Sequence, residues 1–406
     1  MVKKRYAMMN RVAITQIGLC TPLGQDPQQV LDRLIAGDTS AMQRSDTLLF
    51  EHPTLVAPVT AALPAIPAKL IQFDCRNNQL LLCAAQQITA TIEQAKRDLG
   101  HARIGVVLGT STSGISKGEA ALSYRNQHGH FPADYHYFQQ ELGSTSDFLR
   151  QYFELDGPCY TISTACSSSA KVFASAKRLL SANLCDMVIV GGVDSLCQLT
   201  VNGFNALESV SKGHCNPFSI NRDGINIGEG AALFVLTAGE SDVMLAGIGE
   251  SSDAHHISAP HPEGAGAITA MQAALQDANI AAQDIGYINL HGTATPKNDA
   301  MESRAVVEVF GANTPPCSST KPLVGHTLGA AGAIEAAFCY LLLSTHNHDQ
   351  ALPPHQWDGQ IDPQDPSIAL VERHQVAAKG TLNYVMSNSF AFGGSNASLI
   401  FCRNEA

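Results

Sequence analysis

Apolar positions along this chain follow two rhythms. Short, nearly continuous apolar runs occupy 11–19, 104–108, 160–164, 187–190, 231–236, 285–290, 384–387 and 397–401. Runs of that length, bounded by Gly, Pro, Thr and Ser, predict buried strands. Between them, apolar residues recur every three or four positions over 26–35, 77–98, 167–182, 268–278, 299–310 and 329–343. That spacing predicts helices. Residues 38–68 are rich in Pro and Ala and predict loop. Residues 124–142 carry His128, His130, Phe131, Tyr135, His136, Tyr137 and Phe138, a polar and aromatic mixture whose composition fits either solvent or a pocket.

Strands alternating with helices through both halves predict an α/β fold. The helices from Ser167 and from Gly329 are built of small residues and lack a charged face over most of their length. Such helices are buried on most sides, so the expected body is layered, with helices between sheets. The halves share this pattern without evident sequence identity. The expected division is 11–250 and 251–406.

Bulk properties narrow the function. The chain has 406 residues, 45% hydrophobic and 15% charged, enough for a large core. A net charge of −11 argues against general binding to nucleic acid or anionic membranes. Eleven cysteines, with no CxxC pair, fit reduced thiols in a cytoplasmic protein. No apolar run reaches the ~18 residues of a membrane span. Met1 to Asn10 reads as a short extension, since Lys3, Lys4 and Arg5 are not followed by a signal-type apolar core.

Chemistry concentrates where elements end. Thr161-Ile162-Ser163-Thr164-Ala165-Cys166-Ser167-Ser168 places Cys166 at a strand-to-helix junction. A helix N-terminus favours an anion, so a thiol there is expected to ionise more easily and act as a nucleophile. The alternative is a small buried cysteine. Asn289-Leu290-His291-Gly292-Thr293-Ala294-Thr295 puts His291 at a strand end, where α/β folds carry functional groups. Lys321-Pro322-Leu323-Val324-Gly325-His326 puts His326 just before a helix, where the dipole disfavours imidazolium. Glu335 is placed to pair with Lys321 across that helix. Asn388-Ser389-Phe390-Ala391-Phe392-Gly393-Gly394 is either an oxyanion-binding turn or a simple link between core strands. Taken singly, each histidine reads as structural. One cysteine with two distant histidines, each beside glycine, reads as a nucleophile arrangement. A metal site is the weaker alternative, because zinc ligands usually include a close pair in sequence.

These four motifs in this order, with Arg222-Asp223-Gly224, Gly228-Glu229-Gly230-Ala231 and His256-Ile257-Ser258-Ala259-Pro260, closely resemble the β-ketoacyl-acyl-carrier-protein synthases of the elongating type I/II class. The resemblance runs from about Arg11 to Phe401. It implies the thiolase fold, a five-layered α/β/α/β/α body of two pseudo-equivalent halves, usually dimeric. By motif, it implies that Cys166 accepts the acyl group. His291 and His326 would bind the malonyl thioester oxygen, supported by Lys321 and Glu335. The amides of Cys166 and Phe392 would form the oxyanion hole, and Phe392 would gate the acyl pocket. Thr293 and Thr295 would contact the phosphopantetheine arm, with Thr112 and Gly393 also expected to contact substrate. No metal or organic cofactor is implied, since the phosphopantetheine belongs to the acyl carrier protein. That carrier is the expected partner, together with a second copy or a chain-length-factor homologue.

Three features depart from the pattern. Ala391 replaces the usual glycine of the gate, the stretch Ser211 to Phe218 is short, and Thr112 stands where an apolar or glycine residue is common. These and the phrase Arg76-Asn77-Asn78-Gln79-Leu80 resemble synthases of bacterial aryl polyene pigment clusters. Other readings are an ordinary fatty-acid elongating synthase, a non-catalytic chain-length-factor-like subunit and a thiol hydrolase. Cys166 argues against the non-catalytic one. Lys69, Arg76 and Lys212 are the expected basic patch for the carrier.

Overall fold

The computed structural model describes residues 11–404. The extension expected over residues 1–10 lies outside them. In chain order the elements are β1 (Val12–Cys20), α1 (Pro27–Ile35), β2 (Gln43–Ser45), β3 (Thr54–Ala57), α2 (Arg76–Leu99), β4 (Ile104–Gly109), α3 (Ile115–His128), α4 (Ser144–Phe153), β5 (Cys159–Ile162), α5 (Ser168–Ser181) and β6 (Met187–Asp194). There follow α6 (Gln198–Ala206), β7 (Ile227–Gly228), β8 (Gly230–Thr237), β9 (Val243–Ser252), α7 (Ala265–Ala278), β10 (Ile285–Asn289), α8 (Pro296–Phe310), β11 (Cys317–Ser318), α9 (Ala331–Leu343), β12 (Tyr384–Phe390) and β13 (Ser395–Arg403), with single helical turns between some of them.

Ten strands join in the order β11-β10-β12-β13-β9-β1-β8-β6-β4-β5. This order contains the same unit twice. Numbered within its own half, each set of five strands runs third-second-fourth-fifth-first. In both units the first three in space are parallel and the last two antiparallel. Among the described residues the units meet at two pairs, Val12 with Leu245 and Ala13 with Met244. The expected boundary at 250/251 falls inside β9. By strand order the second half opens with Val243, because β9 is its first strand.

Side-chain alternation separates the layers. Val107, Val188, Val190, Phe234 and Leu236 point inward and share one core with Leu399, Phe401 and the central helices. Their neighbours Val106, Leu108, Ile189, Leu233 and Val235 point outward to α2 and α4. On the second sheet, Ile288, Met386 and Ile400 face outward to α7 and α8. Strands covered on both faces are apolar at successive positions, which is why they read as continuous runs. The central helices α5 and α9 touch closely. A Cβ on Gly332 would lie 2.7 Å from the Ala170 nitrogen, and the Ala333 N–H donates to Ser169 Oγ at 2.8 Å. Every residue of α9 except Tyr340 is buried. The body is therefore α/β/α/β/α, with the functional junctions at one end of the central layer.

Candidate active site

Cys166 lies in the tight turn between β5 and α5. Its predecessor Ala165 has φ +52°, a left-handed conformation that costs a non-glycine residue on the order of 1–3 kcal/mol. Local hydrogen bonds hold it there. The Thr164 N–H donates to Ser168 Oγ at 2.9 Å, and the Ser168 N–H donates to the Ala165 carbonyl at 3.1 Å. Cys166 itself is 4% exposed. Burial pushes its thiol up to about 11, against the opposing pull of the Lys321 charge and of N–H groups from Phe392 and Cys166 itself. This is the opposite direction from the easily ionised thiol expected at a helix start, because the site strips the sulfur of water.

The same residues make the site. His326 Nε2 lies 3.0 Å from Cys166 Sγ. The His291 and His326 rings stand nearly perpendicular, centroids 5.5 Å apart. One ligating atom from each of Cys166, His291 and His326 falls within 4.8 Å of the others. Burial, then the Lys321 charge, holds both imidazoles well below their ordinary range, with the His326 ring adding to the effect at His291. Both are neutral at pH 7. The Nδ1 atoms of both rings are buried without a hydrogen-bond partner among the described residues.

Backbone clamps set these rings. The N–H groups of His291 and Gly292 donate to the two oxygens of Glu302, at 2.8 and 2.7 Å. Lys321 Nζ donates to the His291 carbonyl and pairs with Glu335 at 2.5 Å. That pair joins the Lys321–Val324 turn to α9, so it links two helical segments where a pair across one helix was expected. The His326 N–H donates to the Asn226 carbonyl at 2.7 Å, and its carbonyl accepts from the Gly228 N–H at 3.0 Å. Gly325 (φ +70°) permits this approach: a Cβ there would sit 2.6 Å from the Gly228 nitrogen. Glu302 is the functional residue the sequence reading missed. Its one signal was an acid eleven positions after His291 inside the apolar rhythm of a helix.

Cys166, His291 and His326 open into a cavity of about 300 Å³, lined also by Thr293, Thr295, Phe204 and Phe392. The Thr293 and Thr295 hydroxyls lie 2.9 Å apart. Phe392 packs on Phe204 with centroids 5.5 Å apart. Ala391 has φ −92° and ψ 155°, ordinary for any residue, so the glycine replacement brings no strain.

Other expected residues fall elsewhere. Gly393 is exposed and off the cavity lining. Thr112 is fully buried with its hydroxyl already used: it donates to Asp194 at 2.9 Å and accepts from the Ser195 N–H at 3.1 Å. Asp194 also binds Thr110, Ser111 and Ala330, tying β4, β6 and the start of α9 together. The Thr112 hydroxyl therefore belongs to that network. Arg76 turns inward onto buried Glu229, Lys69 pairs with Glu154, and Lys212 is exposed. The first two are thus already paired. The 124–142 aromatics face outward, Tyr137 at 66% and Phe138 at 51% exposure. Tyr135 and Tyr137 border a second hollow with Phe50, Leu122 and Leu199.

A thiolase-fold body with a Cys-His-His centre opening into one cavity defines an acyl-condensing transferase. Residues 9–242 match the N-terminal domain of β-ketoacyl synthases, and residues 243–355 match the C-terminal domain. The chain belongs to the β-ketoacyl synthase family. It is 31% identical to 3-oxoacyl-[acyl-carrier-protein] synthase 2 of Rhizobium meliloti, over 97% of this chain and 99% of that one. A ketosynthase (ApeO) from Xenorhabdus doucetiae, solved in complex with its chain length factor (ApeC), superposes with a TM-score of 0.91 and 45% identity, covering 97% and 98%. A β-ketoacyl synthase from Burkholderia phymatum superposes at 0.81 with 30% identity, covering 97% and 100%. Among the described residues no helix is long and apolar enough to cross a membrane.

Proposed function

We propose that this chain is the catalytic ketosynthase of an aryl polyene pathway, condensing malonyl-carrier units onto a Cys166-bound acyl chain. The observation that carries the chemistry is the convergence of Sγ, two neutral imidazoles and two backbone N–H groups on one buried cavity. The pathway reading rests on the resemblance of the stretches 76–80 and 388–392, and the 45% identity to ApeO supports a ketosynthase that works with a chain length factor.

Cys166 attacks a carrier thioester; its S–H bond breaks, a C–S bond forms, and the carrier thiol leaves with the proton. His326 Nε2 lies 3.0 Å from the sulfur. The malonyl thioester then loses CO₂, and the freed electron pair moves onto its carbonyl oxygen. Neutral imidazoles at His291 and His326 donate Nε2–H bonds to that enolate, and Lys321 adds a nearby positive charge. The enolate carbon attacks the acyl-cysteine, whose oxyanion is held by the amides of Cys166 and Phe392; as it collapses the C–S bond breaks, and the released Cys166 thiolate takes a proton from solvent. Fixed donors of this kind are worth about 3 kcal/mol each in a dry site. Thr293 and Thr295 flank the way in and bind the phosphopantetheine amides of the carrier. No cofactor resident in this chain takes part.

The partners are an acyl carrier protein and a second subunit of the same fold, a chain-length factor in the heterodimeric case. Intact mass after exposure to defined acyl carriers, read before and after malonyl carrier is added, tests the reading. A mass gain on Cys166 that disappears with malonyl carrier is expected, with an aryl-polyenoyl carrier outcompeting a saturated one. Preference for the saturated chain would move the protein to ordinary fatty-acid elongation.

A further inference from the structure

The catalytic thiol and the two imidazoles also form a three-ligand set for a soft divalent cation. We infer that the enzyme, before acyl loading, binds Zn²⁺ across Cys166, His291 and His326, and that Zn²⁺ and the acyl group exclude one another.

Geometry carries this. A tetrahedral zinc with bonds of about 2.3 Å to sulfur and 2.0–2.1 Å to nitrogen holds its ligand atoms about 3.4–3.6 Å apart. Here Sγ and His326 Nε2 are 3.0 Å apart, and all three ligating atoms lie within 4.8 Å. The remaining adjustment is side-chain rotation of about an ångström. All three residues are buried, and the cavity leaves a fourth position open to water. On binding, the thiol proton is released to solvent, and each imidazole offers its Nε2 lone pair with its proton on Nδ1.

The ring atoms turned away from the cavity set the strength. Resident zinc histidines usually give their second N–H to a carboxylate or carbonyl, which fixes the tautomer. His291 Nδ1 and His326 Nδ1 have no such partner. Nothing locks either ring against presenting a lone pair, and nothing strengthens it as a ligand. The Lys321 ammonium works against a second cation, though Glu335 offsets it at 2.5 Å. The site is therefore reversible, an inhibitory one that competes with loading. Metal binding rests on the geometry alone. Its antagonism with acylation rests on Cys166 being the acyl acceptor.

The test uses the full chain, metal-free and without carrier. Co²⁺ is titrated as a spectroscopic stand-in for Zn²⁺, and alkylation of Cys166 by iodoacetamide is followed by mass. One Co²⁺ per chain with a thiolate-to-cobalt charge-transfer band is expected, lost in Cys166→Ala and weakened in His326→Ala. Both variants are checked for wild-type melting temperature. In the wild type, free Zn²⁺ at ten times its Kd slows Cys166 alkylation about tenfold, and a chelator restores the rate. Absence of the band, its persistence in Cys166→Ala, or Zn²⁺ binding without protection would each overturn the inference. Failure of carriers to acylate Cys166 while the band stands would sink the proposed function and leave the metal site.

Discussion

Cys166 shows how burial and activation oppose one another at a single residue. Its thiol is pushed up to about 11 because the site excludes water. In the proposed reaction, the same exclusion makes the Phe392 and Cys166 amides effective donors to a developing oxyanion. Cys166→Ala is expected to abolish acylation and condensation together, read by intact mass. Cys166→Gln should abolish condensation but keep malonyl decarboxylation, because its amide imitates an acylated cysteine. Equal loss of both reactions in the Gln variant would contradict this. Replacing His291 or His326 by Ala should suppress CO₂ release by about 10²–10³, as expected for an oxyanion donor, and more than it suppresses acylation. Intact decarboxylation with lost acylation would reverse the assigned roles. Thr112→Val belongs to stability. It strips one bond from buried Asp194 and leaves the Ser195 N–H unpaired, a loss of about 1–3 kcal/mol. Urea denaturation should show that loss, with the ratio of aryl-polyenoyl to saturated turnover unchanged.

At the scale of elements, the site is a set of strand-to-helix junctions held by buried acids and one buried imidazole. Glu302 fixes the turn after β10 and Asp194 the turn after β4. His355 fixes the next loop: the Ser319 N–H donates to its Nδ1 at 3.1 Å, and its Nε2–H donates to the Pro217 carbonyl at 3.0 Å. Burial lowers His355 from 6.5 to about 4. Below pH 6.5 the unfolded chain takes up a proton that the folded chain refuses. The stability this gives is therefore full above pH 6.5 and is lost as pH falls toward 4, by about 3 kcal/mol at most. His291 and His326, also lowered, act in the same direction. Glu302, raised to about 7, acts oppositely between its unfolded value and 7, since the folded chain then holds the proton more readily. The clean measurement is a difference: His355→Gln should lose less urea resistance than the wild type between pH 7.5 and 5. Parallel losses would remove His355 from the acid response.

For the whole molecule, the doubled strand order leaves β5 and β11 at opposite edges. β11 is buried at both residues, whereas β5, which leads into Cys166, is only partly covered, with Tyr160 39% exposed. An open edge strand pairs readily with another chain. The exposed aromatics Phe131, Tyr137 and Phe138 add apolar surface elsewhere in the first half. If the proposed second subunit adds to this edge, Tyr160→Asp should shift the protein toward the monomer in sedimentation and lower condensation, because the strand leading into Cys166 loses its cover. Unchanged sedimentation would place the subunit contact away from β5.

Much of this was legible in the chain itself. The apolar rhythm marks strands at β1, β4, β6, β8, β10, β12 and β13 because both faces of each sheet are covered. The small-residue composition of α5 and α9 announces a central layer. Cys166, His291, Lys321, His326 and Phe392 stand in local motifs, so their presence at one site was readable. β9 was not, since Gly247 and Gly249 interrupt its apolar run. They are needed because α7 lies on the strand: a Cβ on Gly249 would meet the Ala270 carbonyl at 1.8 Å. Pairing also lay beyond local pattern. That Glu302 holds His291, that Arg76 is consumed by Glu229, and that Thr112 serves Asp194 are contacts between residues 11, 153 and 82 positions apart. The protonation states likewise came from tertiary packing. Sequence places a thiol at a helix start, and only the closing of two sheets over it strips that thiol of water and raises it.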